Sequence, residues 1–85
     1  MALRVLYFAW VRERVGVGEE TVSPPAGVDT VGALVDWLAG RDAAHRDAFA
    51  ERDRLRAAVD QVFVAMEAPL AGAREVALFP PVTGG

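Results

Sequence analysis

Apolar and polar positions alternate along Leu3-Arg4-Val5-Leu6-Tyr7-Phe8, and the aliphatic and aromatic content of this stretch predicts a first strand. Strand geometry puts Leu3, Val5 and Tyr7 on one face and Arg4, Leu6 and Phe8 on the other. Ala9 to Val15 reads as a short helix stopped by Gly16, with Gly18 just beyond. Glu20-Thr21-Val22-Ser23 predicts a short second strand, ended by Pro24-Pro25 because proline has no N–H for a ladder. Thr30 can cap a helix carrying Val31, Leu34, Val35 and Leu38 at helical spacing, and Gly40 falls where a C′ glycine belongs.

The stretch from Asp42 to Glu51 favours helix by propensity, which alone would carry the helix on to Val59. From Val59 to Met66 the pattern turns β-branched and alternating, and one strand is expected there. Glu67 to Arg74, with Pro69 and Gly72, predicts a turn-rich connection, and Glu75 to Phe79 a last strand. The expected order is β-β-α-α-β-β, an α+β fold in one domain over residues 1–79, followed by an extended tail over 80–85.

Composition narrows the chemistry. The chain has 85 residues, room for one domain. A formal net charge of −3 argues against nucleic acid as a partner, since such proteins concentrate basic charge on one face. There is no cysteine, which excludes disulfides, thiolate metal sites and a cysteine nucleophile. A lone histidine would leave a zinc ion to carboxylates, so no metal is expected. No apolar run approaches the ~20 residues of a membrane helix, and the N-terminal residues lack the features of a signal peptide. A cytoplasmic address is expected.

The ending Phe79-Pro80-Pro81-Val82-Thr83-Gly84-Gly85 carries the most information. Consecutive prolines hold φ near −65° and bias the lead toward an extended, semi-rigid form. Six residues from Pro80 reach at most ~20 Å, enough to thread a channel in a partner. Gly84 and Gly85 lack Cβ atoms, so backbone and carboxylate fit a slot too narrow for other residues.

This ending resembles the terminal signature of the small subunits of molybdopterin synthase, a ubiquitin-like β-grasp family of sulfur carriers. Leu6-Tyr7-Phe8-Ala9 with Val11-Arg12-Glu13 is similar to that family's first strand and helix, and Ala57-Ala58-Val59-Asp60-Gln61 and Pro69-Leu70 to its third strand and following turn. The similarity spans essentially the whole chain. The chain departs from the family at Asp60, where asparagine is common, and at Ala71-Gly72-Ala73-Arg74-Glu75, where an acidic Asp-Gly-Asp-Glu turn is common.

The resemblance implies a ubiquitin-like β-grasp with a mixed sheet. It implies that an adenylating partner, related to ubiquitin-activating enzymes, uses ATP to convert the Gly85 carboxylate to an acyl-adenylate. A sulfur donor protein then displaces AMP and leaves a thiocarboxylate on Gly85. The charged tail enters the large subunit of molybdopterin synthase, where the sulfur builds the dithiolene of molybdopterin. The chain itself would bind no cofactor and catalyse nothing alone, within a heterotetramer of two small and two large subunits. Alternation turns Phe8, Phe63 and Phe79 outward if Val62, Val64, Val76 and Leu78 face the core, giving an apolar patch beside the tail. The positions also match the family's partner surface by resemblance.

Other residues carry blander expectations. His45, among Asp42, Arg46 and Asp47, reads as solvated, as do Glu19-Glu20 and the Glu51, Asp53 pair. Trp10 and Trp37 read as partly buried anchors, and Arg52, Arg54 and Arg56 lack the aromatic interleaving of a nucleic-acid surface. Three other functions fit the same ending: a carrier for another thiocarboxylate pathway such as thiamine thiazole synthesis, a protein modifier joined through Gly85, and a β-grasp interaction module with an idle tail.

Overall fold

The computed structural model describes residues 2–81. Strand β1, Leu3–Tyr7, buries Leu3, Val5 and Tyr7 and leaves Arg4 exposed, as its alternation requires. Helix α1, Ala9–Val15, buries Val11 and Val15 and ends at Gly16 with φ 99°, a left-handed cap that glycine adopts without steric cost. Strand β2 spans Glu19–Val22. Helix α2, Val31–Ala39, buries Val31, Leu34, Val35 and Leu38, and the Thr30 hydroxyl accepts from the Ala33 N–H at 3.1 Å. Each fully buried leucine on that stripe contributes about 1.5–3 kcal/mol. Gly40 closes α2 at φ −83°, so the left-handed conformation expected of a C′ glycine is not used.

Helix α3, Ala43–Ala48, is capped by Asp42, whose Oδ1 accepts from the His45 N–H at 2.8 Å. A 3-10 turn, Arg52–Arg54, leads to β3, Arg56–Val59, then β4, Val62–Val64, and β5, Glu75–Phe79. Among the described residues these strands form one sheet in the order β2-β1-β5-β3-β4. β1 and β5 pair in parallel, and the other neighbours are antiparallel. The sheet is mixed, with helical residues Val11, Val31, Leu34, Val35 and Leu38 joining Leu3, Val5, Tyr7, Val76 and Leu78 in one buried cluster. This is the ubiquitin-like β-grasp α+β fold. The 66–70 connection is tied to the start of α2: Gly32 N–H donates to Met66 O at 2.8 Å and Leu70 N–H to Asp29 O at 2.9 Å.

The 55–66 region differs from the expected single strand over 59–66. Val59 pairs with Val62 across a tight turn in which Asp60 has φ 47° and Gln61 φ 72°. Left-handed backbone at both central positions is the geometry of a two-residue hairpin whose twist matches its strands. Asp60 tolerates it, and its Oδ1 accepts from both the Arg74 and Glu75 N–H groups at 3.0 Å. The strand begins at Arg56, within what propensity assigned to helix. Ala57 and Ala58 are good helix formers, but each is paired on both sides, to β5 and to β4. The ladder satisfies their backbone groups in a way local propensity does not register.

Val62, expected in the core, is 62% exposed. It shares a register position with Val59, but β4 is the edge of the sheet. The core expectation holds for Val76 and Leu78, both fully buried, while Val64 is partly buried against the core. Among the described residues no helix is long and apolar enough to cross a membrane.

Candidate functional site

Parallel pairing of the two central strands decides where the tail leaves. Tyr7 is in register with Leu78, and the Phe8 N–H donates to Leu78 O at 3.2 Å, so Phe8 and Phe79 emerge side by side at one end of the sheet. Phe8 lies just past β1, as the residue preceding α1, and is 49% exposed. The next residue, Ala9, has φ 53°, a left-handed conformation that costs a non-glycine residue about 1–2 kcal/mol and turns the chain between outward Phe8 and inward Val11.

Phe79 is in register with Arg56, and Ala58 with Phe63. The Phe63 ring, 72% exposed, meets the Phe79 ring at 5.2 Å between centroids with a 45° tilt. Both rings lie on the face of the sheet away from the helices. Leu6, Ala77, Ala58 and Phe63 are successive register partners across four strands of that face. The two alanines make its middle low and smooth, and the paired Phe63 and Phe79 rings rise beside them. A shallow groove of about 410 Å³ runs between Arg56, Ala57, Phe63, Val64, Ala65 and Phe79. Exposed apolar surface of this kind, rimmed by charge, marks a protein contact.

The structure therefore brings Phe8, Phe63 and Phe79 to the outward face, as the alternation predicts. Pro80 and Pro81 follow Phe79 directly and are partly exposed. Val82, Thr83, Gly84 and Gly85, the rest of the expected site, lie outside the described residues.

Two expectations are corrected. His45 is 7% exposed rather than solvated. Its Nδ1 is 2.8 Å from Asp42 Oδ1 and its Nε2 is 2.7 Å from Glu20 Oε2. Glu20, expected on a solvated face, also accepts from the Tyr7 hydroxyl at 2.6 Å and from Arg41 Nη1 at 3.2 Å. The cause is the β1–β2 pairing, which sets Glu20 opposite Val5 on the helix side of the sheet, where a carboxylate must find donors. No sequence motif marks this group, because its members come from three separated segments. Burial raises the Glu20 pKa, but the bonds from His45 and Tyr7 outweigh it and the net direction is down. Asp42 is lowered by the His45 backbone and side-chain bonds. Burial, then the bond to Glu20, raises the Tyr7 hydroxyl. Both ring nitrogens of His45 are occupied, so the group has no free atom to offer a substrate and acts as structure.

The remaining candidates are used internally. Trp10 is partly buried with the Arg14 and Arg54 guanidinium carbons 4.9 and 5.6 Å from its ring centroid, and Arg41 lies 5.3 Å from that of Trp37. Arg52 pairs with Asp36, and Arg56 donates to Asp53 O and Leu55 O. Asp60 faces the start of β5, the end away from the tail, so this departure from the family pattern serves the hairpin. Among the described residues no group of three or more His, Asp or Glu side chains is arranged so that it could hold a metal ion.

Comparison with known proteins agrees with this geometry. The ThiS family model matches residues 5–85. The molybdopterin synthase sulfur carrier subunit of Escherichia coli (strain K12) is 45% identical over 98% of this chain and 99% of that protein. The subunit of the same name from Mycosarcoma maydis is 35% identical over 99% and 94%. Among solved structures, SAMP1 from Haloferax volcanii superposes with a TM-score of 0.72 at 29% identity, covering 100% of both chains. The putative molybdopterin converting factor, subunit 1 from Pyrococcus furiosus gives 0.75 at 27% identity over 96% and 99%. With a mixed β-grasp sheet, a full-length match and an apolar face at the root of its C-terminal segment, the chain belongs to the ThiS family, within the group of molybdopterin synthase small subunits.

Proposed function

We propose that this chain is the sulfur carrier of molybdenum cofactor biosynthesis and that its reactive group is the Gly85 carboxylate. The observation that carries the reading is the position of the Phe8, Phe79 and Phe63 face around the strand from which Pro80 and Pro81 depart. A partner docked on that face stands where the tail begins, and residues 80–85 span up to ~20 Å into it. The full-length similarity to sulfur carrier subunits supports the same reading.

The chemistry follows from the poor electrophilicity of a carboxylate. An adenylating partner joins the Gly85 carboxylate to AMP from ATP, releasing pyrophosphate. Sulfide-level sulfur delivered by the donor attacks the acyl carbon, the C–S bond forms, the C–O bond to AMP breaks, AMP leaves, and a thiocarboxylate remains. The large subunit of molybdopterin synthase receives the tail, and sulfur passes to the pterin precursor. The acids and bases belong to the partners. This chain acts as a group carrier and binds no cofactor, in an assembly of two small and two large subunits in the cytoplasm.

The test is the intact mass after incubation with an adenylating partner, ATP and a sulfur source. A gain equal to replacing one oxygen by sulfur, lost on deleting Gly85, is the expected result. A second reading, joining of Gly85 to amines of other proteins, draws on the likeness to the small archaeal modifier protein 1 of Haloferax volcanii (TM-score 0.73, 28% identity). It predicts higher-mass conjugates on a denaturing gel with no sulfur gain.

A further inference from the structure

His45 is the chain's one histidine, and its imidazole stands between two carboxylates at hydrogen-bond distance on both ring nitrogens. A neutral imidazole carries one N–H and one bare lone pair. In either neutral tautomer, one carboxylate would face that lone pair at under 3 Å, namely 2.8 Å at Asp42 or 2.7 Å at Glu20. Only the imidazolium donates to both. Groups from β1, β2 and the segment leading into α3 surround it, whereas α1 and α2, which also pack on α3, give it no hydrogen-bond or ion-pair partner among the described residues. Glu20 reaches it from β2 and Asp42 from the start of α3; Tyr7 of β1 donates to the same Glu20 oxygen, and Arg41 binds the other one. The Tyr7 and Phe49 rings flank the imidazole at 6.3 and 6.2 Å.

Beyond this clamp α3 packs on α1 and α2, and Ala48 and Phe49 are buried at its C-terminal end, so it is the start of the helix that rests on the His45 cluster. The helix has six residues, far below the length that is stable in isolation, and its buried side chains are His45 and Ala48. A short helix whose first turn buries only His45 opens at that end before the domain unfolds.

We propose that the start of α3 is proton-held: charged His45 clamps it to β2 through Asp42 and Glu20, and loss of its proton to solvent loosens the start of α3 from β2. Burial pulls the His45 pKa down, but the hydrogen bonds and charges of Glu20 and Asp42 more than offset this, and the net direction is up. A raised folded-state pKa gives stabilisation present in full below the unfolded value of about 6.5. That stabilisation disappears as pH rises through the folded value, at up to tenfold in the opening equilibrium per pH unit.

A single histidine gives one set of imidazole signals, so NMR titration reads its pKa directly, and amide hydrogen exchange reads each element. The expected result is titration above 6.5, with protection at the start of α3 falling up to tenfold per pH unit while Leu34, Val35, Val5 and Val76 hold theirs. His45→Gln should remove that pH dependence. Glu20→Gln, tested on the same signals, should lower the His45 pKa. Titration at or below the ordinary value, a uniform loss across all elements, or an unchanged pH dependence in His45→Gln would overturn the proposal. Should His45→Gln fail to fold, the wild-type titration and Glu20→Gln decide it.

Discussion

Phe63 and Phe79 come from strands that are not neighbours, yet their rings meet at 5.2 Å across the intervening strand β3. Phe63 stands opposite Ala58 and Phe79 opposite Arg56, so the contact runs diagonally over β3. The pair is held in the open by the sheet, which makes its contribution to binding separable from its contribution to folding.

Phe63→Ala should therefore leave stability within about 1 kcal/mol, since the ring is mostly solvated and forfeits one aromatic contact. Affinity for the large subunit should fall about tenfold or more, the loss typical of a central apolar anchor. Thermal melting and calorimetric titration of the same variant check both halves. Equal affinity would place the docking face elsewhere.

Phe79→Ala should weaken binding comparably and also cost about 1–2 kcal/mol in urea unfolding, because this ring is partly buried and packs against Phe63.

Asp60→Ala should destabilise by about 1–2 kcal/mol, since it removes an acceptor for two backbone N–H groups and puts a Cβ without polar compensation in the left-handed region. Asp60→Asn keeps both properties and should lose less than half as much. Urea midpoints distinguish the two, and equal losses would point to the carboxylate charge instead.

Tyr7→Phe should cost about 1–2 kcal/mol, because Glu20 loses a donor while the ring still fills its place in the core. Chemical denaturation at neutral pH measures it.

On the acid side the sign is opposite to that of the histidine. Glu20 and Asp42 have lowered pKa values, so their stabilisation is present above the unfolded values near 4 and is lost as pH falls through the folded ones. Glu20→Gln should flatten the acid limb of the stability profile between about pH 5 and pH 2. An acid limb unchanged from the wild type would assign the transition to other carboxylates.

Local rules made much of this molecule legible. The Thr30 cap and the Val31, Leu34, Val35, Leu38 stripe identify α2 because the cap bond and the helical period act within a few residues. β1 is legible from its alternation, Gly16 from the cap it forms, and the outward direction of Phe79 from the parity of β5. The ending from Phe79 to Gly85 identifies the candidate chemistry because the properties of proline and glycine are intrinsic. What tertiary structure decided depends on partners distant in sequence. Ala57 and Ala58 are strand because β4 and β5 flank them, and Asp60 turns the hairpin because two N–H groups at 74 and 75 fill its carboxylate. Val62 is exposed because its strand is the last in the sheet. His45 is buried because strand pairing brings Glu20 to the helix side, 25 positions away along the chain. Propensity and periodicity sum over neighbours along the chain, whereas these outcomes are set by which groups the folded backbone brings within hydrogen-bond reach.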